Sequence, residues 1–376
     1  MRPSAWGAGD AAPGVGAAAP GAGAAPPGVG AAAPGAGTAA RPRSHSFSGT
    51  ANVIGVDLGG TKVAVAALRG ITLGEALVKP TDHSGADALI DQLVGMVQAA
   101  GQGQIDAVGL GVPSVVEFET GRVVSSVNIP LADVPLRQVL GERLGVPVFV
   151  DNDATVAALA EAHDEQLQLV AHNLVMLTIG TGVGGGIVLG GRIYRGATGG
   201  AGEFGHTIVG LDMNGPFAGG RFPLPGSLES VASGLALDRL AAEAADSHPD
   251  SALGRLQAAG QPILGAETVQ AARDGDAVAA RIVELWAQRI GIGIANAINT
   301  FDPDEVVLGG GGAQAGDLLL EPARRVALDH VVPGLGGRTN IRLAWHGIRA
   351  GVLGAALLAA HEFEAPGIPS TTEVKS

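Results

Sequence analysis

The sequence predicts an α/β protein. Apolar strand-like runs alternate with stretches whose apolar residues recur at helical spacing. A strand–glycine turn–strand pattern also occurs once in each half of the chain, which predicts two similar lobes facing one cleft. The 376 residues are enough for two cores. Only 3 % of residues are aromatic, so those cores must be built from Val, Leu, Ile and Ala.

The elements follow in order. Residues 1–48 are mostly Ala, Gly and Pro with an internal repeat, GVGAAAPGAG at Gly14–Gly23 and again at Gly28–Gly37. Such a segment lacks large apolar groups and is expected to be a disordered tail. NVIGVDLGGTKVAVAAL (Asn52–Leu68) reads as strand, glycine turn, strand. ADALIDQLVGMVQAA (Ala86–Ala100) has the apolar spacing of a helix, and IDAVGLGVPS (Ile105–Ser114) reads as a buried strand. PVFVDNDATVAALAEAHDE (Pro147–Glu165) reads as a strand running into a helix. LVMLTIGTGVGGGIVLGGRIYRG (Leu174–Gly196) is the second strand–turn–strand. Helical patterns follow at Glu229–Ala245 and Asp276–Asn299, then the strand and glycine turn of DEVVLGGGGAQ (Asp304–Gln314). An Ala/Leu helix closes the chain at Gly347–Glu362.

Composition narrows the function. The net charge of −13 repels nucleic acid and anionic membranes at long range. It leaves room for an anionic nucleotide, because a nest of backbone N–H groups binds phosphate against the global sign. The absence of cysteine removes disulfides, thiol catalysis and thiolate metal sites, and it accords with a cytoplasmic protein. The long uncharged run His172–Gly191 carries a glycine cluster, which fits two short strands better than a membrane span.

Three apolar strands end in glycine-rich turns, at Asp57–Lys62, Gly180–Gly186 and Gly309–Gly312. Glycine permits positive φ and close backbone approach, so each turn is a candidate phosphate cradle. The first lacks the Gly-Lys-Ser/Thr of a P-loop, since Lys62 follows Thr61 and precedes Val63. GTGVGG (Gly180–Gly185) satisfies a dinucleotide fingerprint, but a strand-like run follows it where that fold needs a helix.

Carboxylates supply the rest. Asp57 either caps its own turn or, beside bound phosphates, holds a Mg²⁺ directly or through water. Asp151, Asn152 and Asp153 stand at a strand-to-helix junction. Capping explains one of them, whereas a carboxylate at a strand's C-terminal end faces the ligand cleft of an α/β fold. There it can accept the proton of an attacking hydroxyl. GGAGEFGH (Gly199–His206) and SLESVASG (Ser227–Gly234) add Glu203, His206 and Glu229. Such a cluster suits a polyol such as a sugar, although each member alone could be a cap or a solvated residue.

Together these segments resemble the ROK family, which groups sugar kinases with related transcriptional repressors, from about Val53 to Glu362. GVDLGGTK resembles its first phosphate motif, TIGTGVGGGIV its second, DNDATVAALAE its catalytic stretch, and GEFGH with LESVASG its sugar segment. The resemblance implies the actin-like (ribonuclease H-like) two-lobed sugar kinase fold with a central cleft. Its expected division is a small lobe of 49–171 plus 346–363, a large lobe of 172–345, and a tail from 364 to 376.

It also implies ATP-dependent phosphorylation of a hexose, glucose to glucose 6-phosphate, with Mg²⁺ and with Asp153 as general base. Asn152, Asp153, Glu203, His206 and Glu229 then hold the sugar. Gly59, Gly60, Thr61, Lys62, Thr181, Gly182, Gly310 and Gly311 hold the nucleotide, and Asp57 the metal. No nucleic acid or membrane partner is expected, and a homodimer or other homo-oligomer is. Alternatives within the family are mannose, fructose or N-acetylglucosamine as acceptor, polyphosphate as donor, or a sugar-responsive repressor. A repressor needs a helix-turn-helix domain ahead of the kinase-like part, where this chain has its Ala-Gly-Pro tail.

One departure stands out. Many members carry a structural zinc held by the histidine equivalent to His206 and by three cysteines before the Leu-Glu of the second segment. Here Phe222 and Ser227 occupy two of those places, and the chain has no cysteine. No structural zinc is therefore expected, and Phe217, Phe222 and Leu224 are expected to form an apolar plug in its stead. Pro113-Ser114 replaces the family's Pro-Gly, a milder change.

Overall fold

The computed structural model describes residues 51–126, 128–210 and 222–364. The expected tail at 1–48 and all but Glu364 of the expected tail at 364–376 lie outside these residues, as does Phe217 of the expected plug.

The first half contains β1 (Asn52–Leu58), β2 (Lys62–Arg69), β3 (Thr72–Leu73), β4 (Leu77–Pro80), α1 (Ala86–Gly101) and β5 (Ala107–Val112). It continues with β6 (Ser114–Glu117), β7 (Arg122–Ser126), α2 (Leu136–Leu144), β8 (Val148–Asn152) and α3 (Asp153–Glu161). The second half contains β9 (Leu174–Ile179), β10 (Val183–Leu189), β11 (Arg192–Ile193), α4 (Leu228–Ala232) and α5 (Gly234–Ser247). Then come α6 (Ala252–Ala258), α7 (Gly265–Arg273), α8 (Ala277–Phe301), β12 (Glu305–Gly309), α9 (Asp317–Asp329), β13 (Asn340–Leu343) and α10 (Ala350–Glu364).

The two main sheets repeat one plan, as the duplicated hairpin predicts. In the six-stranded sheet the antiparallel β1–β2 hairpin is extended by parallel β5 and β8. In the five-stranded sheet the β9–β10 hairpin is extended by parallel β12 and β13. Strand β5 is buried at every residue, as a parallel strand covered on both faces must be. Helix α1 buries Leu89, Ile90, Leu93, Val94 and Val97, a spacing that turns one stripe to the first sheet's core.

Three expectations need correction. The helical pattern Glu229–Ala245 is two helices, because Ser233 breaks it and caps α5, its Oγ accepting from Ala236 N at 3.2 Å. The stretch Gly180–Gly186 is not all turn, since β10 begins at Val183 and Gly184–Gly186 lie within the strand. The last helix also runs to Glu364, one residue past the expected end of the folded part.

Helices α3 and α10 fill the space beside the sheets at backbone distance. A Cβ at Gly186 would lie 2.5 Å from the Ala154 carbonyl oxygen, and one at Gly354 would collide with the carbonyl of Val156. The C-terminal end of α3 is fixed by charge. Glu161 is fully buried, and its Oε2 accepts from Arg342 Nη1 at 2.7 Å and from Trp345 N at 2.9 Å. Its Oε1 accepts from His346 N at 2.9 Å, and its backbone carbonyl from Arg342 Nη2 at 2.8 Å. Arg342 also donates to Glu305 Oε2 at 2.7 Å, so β12, β13 and α3 share one ionic joint.

Removing one partner of such a joint leaves the other charge buried without its match. Glu161→Ala is expected to cost about 3–5 kcal/mol of stability, with Glu161→Gln milder because it keeps acceptor capacity. Denaturant unfolding of the three proteins measures this, and an unfolding midpoint unmoved in Glu161→Ala would remove the joint from the account of stability.

Candidate active site

Strand register brings the predicted residues together. Asp57 of β1 lies opposite Gly111 of β5, and Gly111 opposite Asp151 of β8. Three strands of the first sheet therefore deliver their C-terminal ends to one edge. In the second sheet Thr178 lies opposite Gly309, so the turns at 180–182 and 310–311 also open at one edge.

The three polar residues after β8 separate by environment. Asp151 is buried and does not face a ligand: Arg195 Nε donates to its Oδ2 at 2.7 Å and Asn152 N to its Oδ1 at 2.9 Å. Burial raises its pKa, and Arg195 opposes that rise. Capping accounts for one of the trio, Asn152, while Asp151 is held by an ion pair. Asn152 is the N-cap of α3, its Oδ1 accepting from Ala154 N at 2.9 Å and Thr155 N at 3.2 Å. Its Nδ2 is left with one long bond, 3.4 Å to the Ser114 carbonyl oxygen.

Asp153 opens α3 and accepts from Ala154 N at 2.8 Å. Burial pushes its pKa up to about 6; the backbone N–H of Ala154 opposes the shift, while the charges of Asp57 and Glu203 add to it. Asp57, Asp153 and Glu203 therefore share one electrostatic neighbourhood. Burial raises the pKa of Asp57 too, against the pull of Lys62. The Asp57 carboxylate rests on the first turn of α10, where a Cβ on Gly351 would lie 2.5 Å from its Cγ.

The two sugar-segment candidates pack on each other. Leu228 N donates to the Thr207 carbonyl at 2.9 Å, which ties the start of α4 to the 3₁₀ turn Phe204–His206. His206 Nε2 lies 3.7 Å from Glu203 Oε2. The His206 ring meets Phe222 edge to face, with centroids 4.8 Å apart at 66°. Its Nδ1 is buried and has no hydrogen-bond partner among the described residues. Phe222 is 68 % exposed, so the expected plug is corrected to a one-sided contact on the histidine. Ser227 is buried and caps α4, its Oγ accepting from Ser230 N at 3.3 Å. Among the described residues no group of three or more His, Asp or Glu could hold a metal. With a phenylalanine and a capping serine where thiolates would stand, the donor set does not fit zinc.

The glycine turns are held by their neighbours. Thr81 Oγ1 donates to the Gly59 carbonyl at 2.7 Å and His83 Nε2 lies 2.9 Å from the Gly60 carbonyl, while Thr61 and Lys62 are exposed. Gly234 N donates to the Gly180 carbonyl at 2.8 Å, and Glu229 Oε2 accepts from Val183 N at 2.9 Å. Of the predicted turn glycines only Gly310 uses left-handed backbone, at φ 77°. A Cβ there would also lie 2.5 Å from the Ile179 carbonyl oxygen. At Gly59, Gly60, Gly180, Gly182 and Gly311 the residue type serves close approach or exposure instead of positive φ. Sequence reasoning missed Arg195, Thr81 and Gly351, which contact these groups from distant parts of the chain, and the joint made by Glu161.

Two repeated sheets with glycine turns and carboxylates at their strand ends define the two-lobed, actin-like phosphotransferase class. The ROK family model matches residues 53–362, and the chain belongs to the ROK family. It is 38 % identical over 320 residues to a glucokinase of Halalkalibacterium halodurans, covering 81 % of this chain and 94 % of that one. It is 35 % identical over 323 residues to a glucokinase of Streptomyces coelicolor, covering 81 % and 96 %. The crystal structure of a ROK family glucokinase from Streptomyces griseus in complex with glucose and AMPPNP matches with a TM-score of 0.68 at 32 % identity. That match covers 82 % of this chain and 99 % of the other.

A carboxylate accepts a proton only when ionised. Any reaction that uses Asp153 as acceptor is therefore expected to lose rate as pH falls through about 6. The acidic limb of kcat/KM against pH reads this directly, and a midpoint near the ordinary value of 3.8 would show that burial does not govern Asp153.

Proposed function

We propose that the chain transfers the γ-phosphoryl group of ATP to the terminal hydroxyl of a hexose, with glucose as the preferred acceptor and glucose 6-phosphate as product. The observation that carries this reading is Asp153: a crowded carboxylate at the mouth of α3, with Asp57 and Glu203 near enough to raise its pKa. The glucokinase relatives and the glucose–AMPPNP complex support the choice of acceptor and donor.

In this reading Asn152 Nδ2, Glu203, His206 and Glu229 bind the sugar hydroxyls, and Asp153 orients the terminal one. Asp153 accepts its proton as the oxygen attacks the γ-phosphorus and the bond to the ADP oxygen breaks. Gly59, Gly60, Thr61 and Lys62, Thr181 and Gly182, and Gly310 and Gly311 hold the nucleotide through backbone N–H groups and the lysine ammonium. Asp57 is the residue that would hold Mg²⁺, directly or through water; the ion supplies charge neutralisation on the phosphates when bound. Closure of the lobes excludes water and favours transfer over hydrolysis. The reaction takes place in the cytoplasm, on a homodimer or other homo-oligomer. Among the described residues no helix is long and apolar enough to cross a membrane.

A phosphorylation assay over glucose, mannose, fructose and N-acetylglucosamine, each with ATP and polyphosphate, tests the proposal. Glucose with ATP should give the highest kcat/KM; no transfer to any hexose sinks it. Asp153→Asn keeps the shape and removes the proton acceptor, so kcat should fall about 10²–10⁴-fold with a smaller change in KM.

The protein should work without structural zinc. Metal analysis of untagged protein decides this, and about one zinc per chain, lost together with activity on chelation, is the contrary result.

A further inference from the structure

We propose that Glu229 gates the second glycine turn: with no sugar bound, its carboxylate occupies the N–H that a nucleotide phosphate needs, and sugar draws it away. The inference rests on the reading of 180–183 as a phosphate turn and of Glu229 as a sugar ligand.

The turn already holds an anion. Glu229 Oε2 accepts from Val183 N at 2.9 Å, where β10 leaves the turn. The same oxygen lies so close to Gly182 that any side chain at 182 would collide with it. Gly180 and Thr181 are exposed, so the turn is open on its outer side. A phosphate oxygen arriving there meets an engaged donor and a like charge.

The carboxylate is delivered by a braced platform. Ser227 caps α4 and places Glu229 in its first turn. Gly234 N is bonded to the Gly180 carbonyl, and Trp286 Nε1 donates to the Ala232 carbonyl at 2.8 Å. The α4–α5 junction and the turn therefore move as one piece, and the part left to change is the Glu229 side chain. On the other side of α4, Leu228 is tied to Thr207 beside His206. Hydroxyls bound between Glu203, His206 and Glu229 compete with Val183 N–H for the carboxylate. Sugar binding then frees the turn for phosphate, and by linkage nucleotide tightens the hold on sugar.

The test is titration of the full chain with AMPPNP and Mg²⁺, with and without glucose, for the wild type, Glu229→Gln, Glu229→Ala and Glu203→Gln. Wild type should bind AMPPNP about 5-fold tighter or more when glucose is present. Glu229→Gln keeps an acceptor but no charge, and Glu229→Ala keeps neither. Both should bind AMPPNP without sugar about 5-fold tighter or more than wild type does. Glu203→Gln, which removes a nearby charge away from the turn, should leave sugar-free binding near the wild-type value. Unchanged or weaker sugar-free binding in both Glu229 variants overturns the gate, as does an equal gain in Glu203→Gln. Melting temperatures confirm that each variant is folded. Wild type that phosphorylates glucose while the Glu229 variants gain nothing fails the gate alone. Wild type that phosphorylates no hexose, with the gain intact, fails the proposed function alone.

Discussion

Helix α3 carries Asp153 at its first residue and Glu161 at its last, and the structure closes on it at backbone distance. Gly186 of β10 faces Ala154, and Gly354 of α10 faces Val156. A methyl group at either glycine would meet a carbonyl oxygen, which cannot rotate away as a side chain can. The run of alanines in DATVAALAE therefore meets a spatial demand as much as a helical preference. Residues Ala154 to Glu161 are all buried, so no face of the helix is spare. The height of Asp153 above the first sheet follows from this packing. At the far end, Glu161 fixes the axial position by binding the segment that leads from β13 towards α10.

That constraint also sorts the acids. A carboxylate forced into a crowded site keeps its charge only if cations or N–H groups repay the lost hydration. Asp151 has such a partner in Arg195, whose guanidinium also binds Glu362 Oε1 at 3.0 Å and lies 3.4 Å from the centre of the Phe118 ring. Asp153 has the Ala154 N–H and, among the described residues, no paired cation, and its two acidic neighbours add to the rise that burial causes. Two aspartates separated by a single asparagine thus differ in surroundings: one is paired with Arg195 and the other has acidic neighbours.

The parts of this arrangement that were legible in the sequence are local. Both hairpins, the β8–α3 junction and the closing helix announce themselves by apolar runs, glycine turns and helical spacing within a few residues. Asp57, Asn152, Asp153, Glu203, His206 and Glu229 were visible because polar residues in such places are costly without a reason. What stayed hidden depends on distant partners. Arg195 is an ordinary loop arginine until Asp151 and Glu362 are folded onto it, and Glu161 an ordinary helix end until Arg342 reaches it. Ser233 was read through because a serine within an apolar period breaks a helix only if its hydroxyl finds the next helix's N–H. Gly184–Gly186 looked like turn because composition cannot distinguish a glycine that bends the chain from one that admits a neighbour.

The two sheets share a plan yet place charge differently, and this difference is what makes the halves unequal. Asp57 precedes Leu58, the last residue of β1, and lies opposite Gly111. The equivalent residue before Ile179 is Thr178, opposite Gly309. The first turn thus has its carboxylate on its own strand, packed against Gly351. The second turn has no acid in its own hairpin from Leu174 to Leu189 and receives one from α4. A carboxylate on the strand belongs to the frame of the site, in keeping with the cation role proposed for Asp57. A carboxylate lent by another element is joined to its turn, among the described residues, by the one hydrogen bond from Val183 N, which is the bond the proposed gate asks a competing ligand to break. One duplicated hairpin can in this way provide both a permanent charge and a movable one.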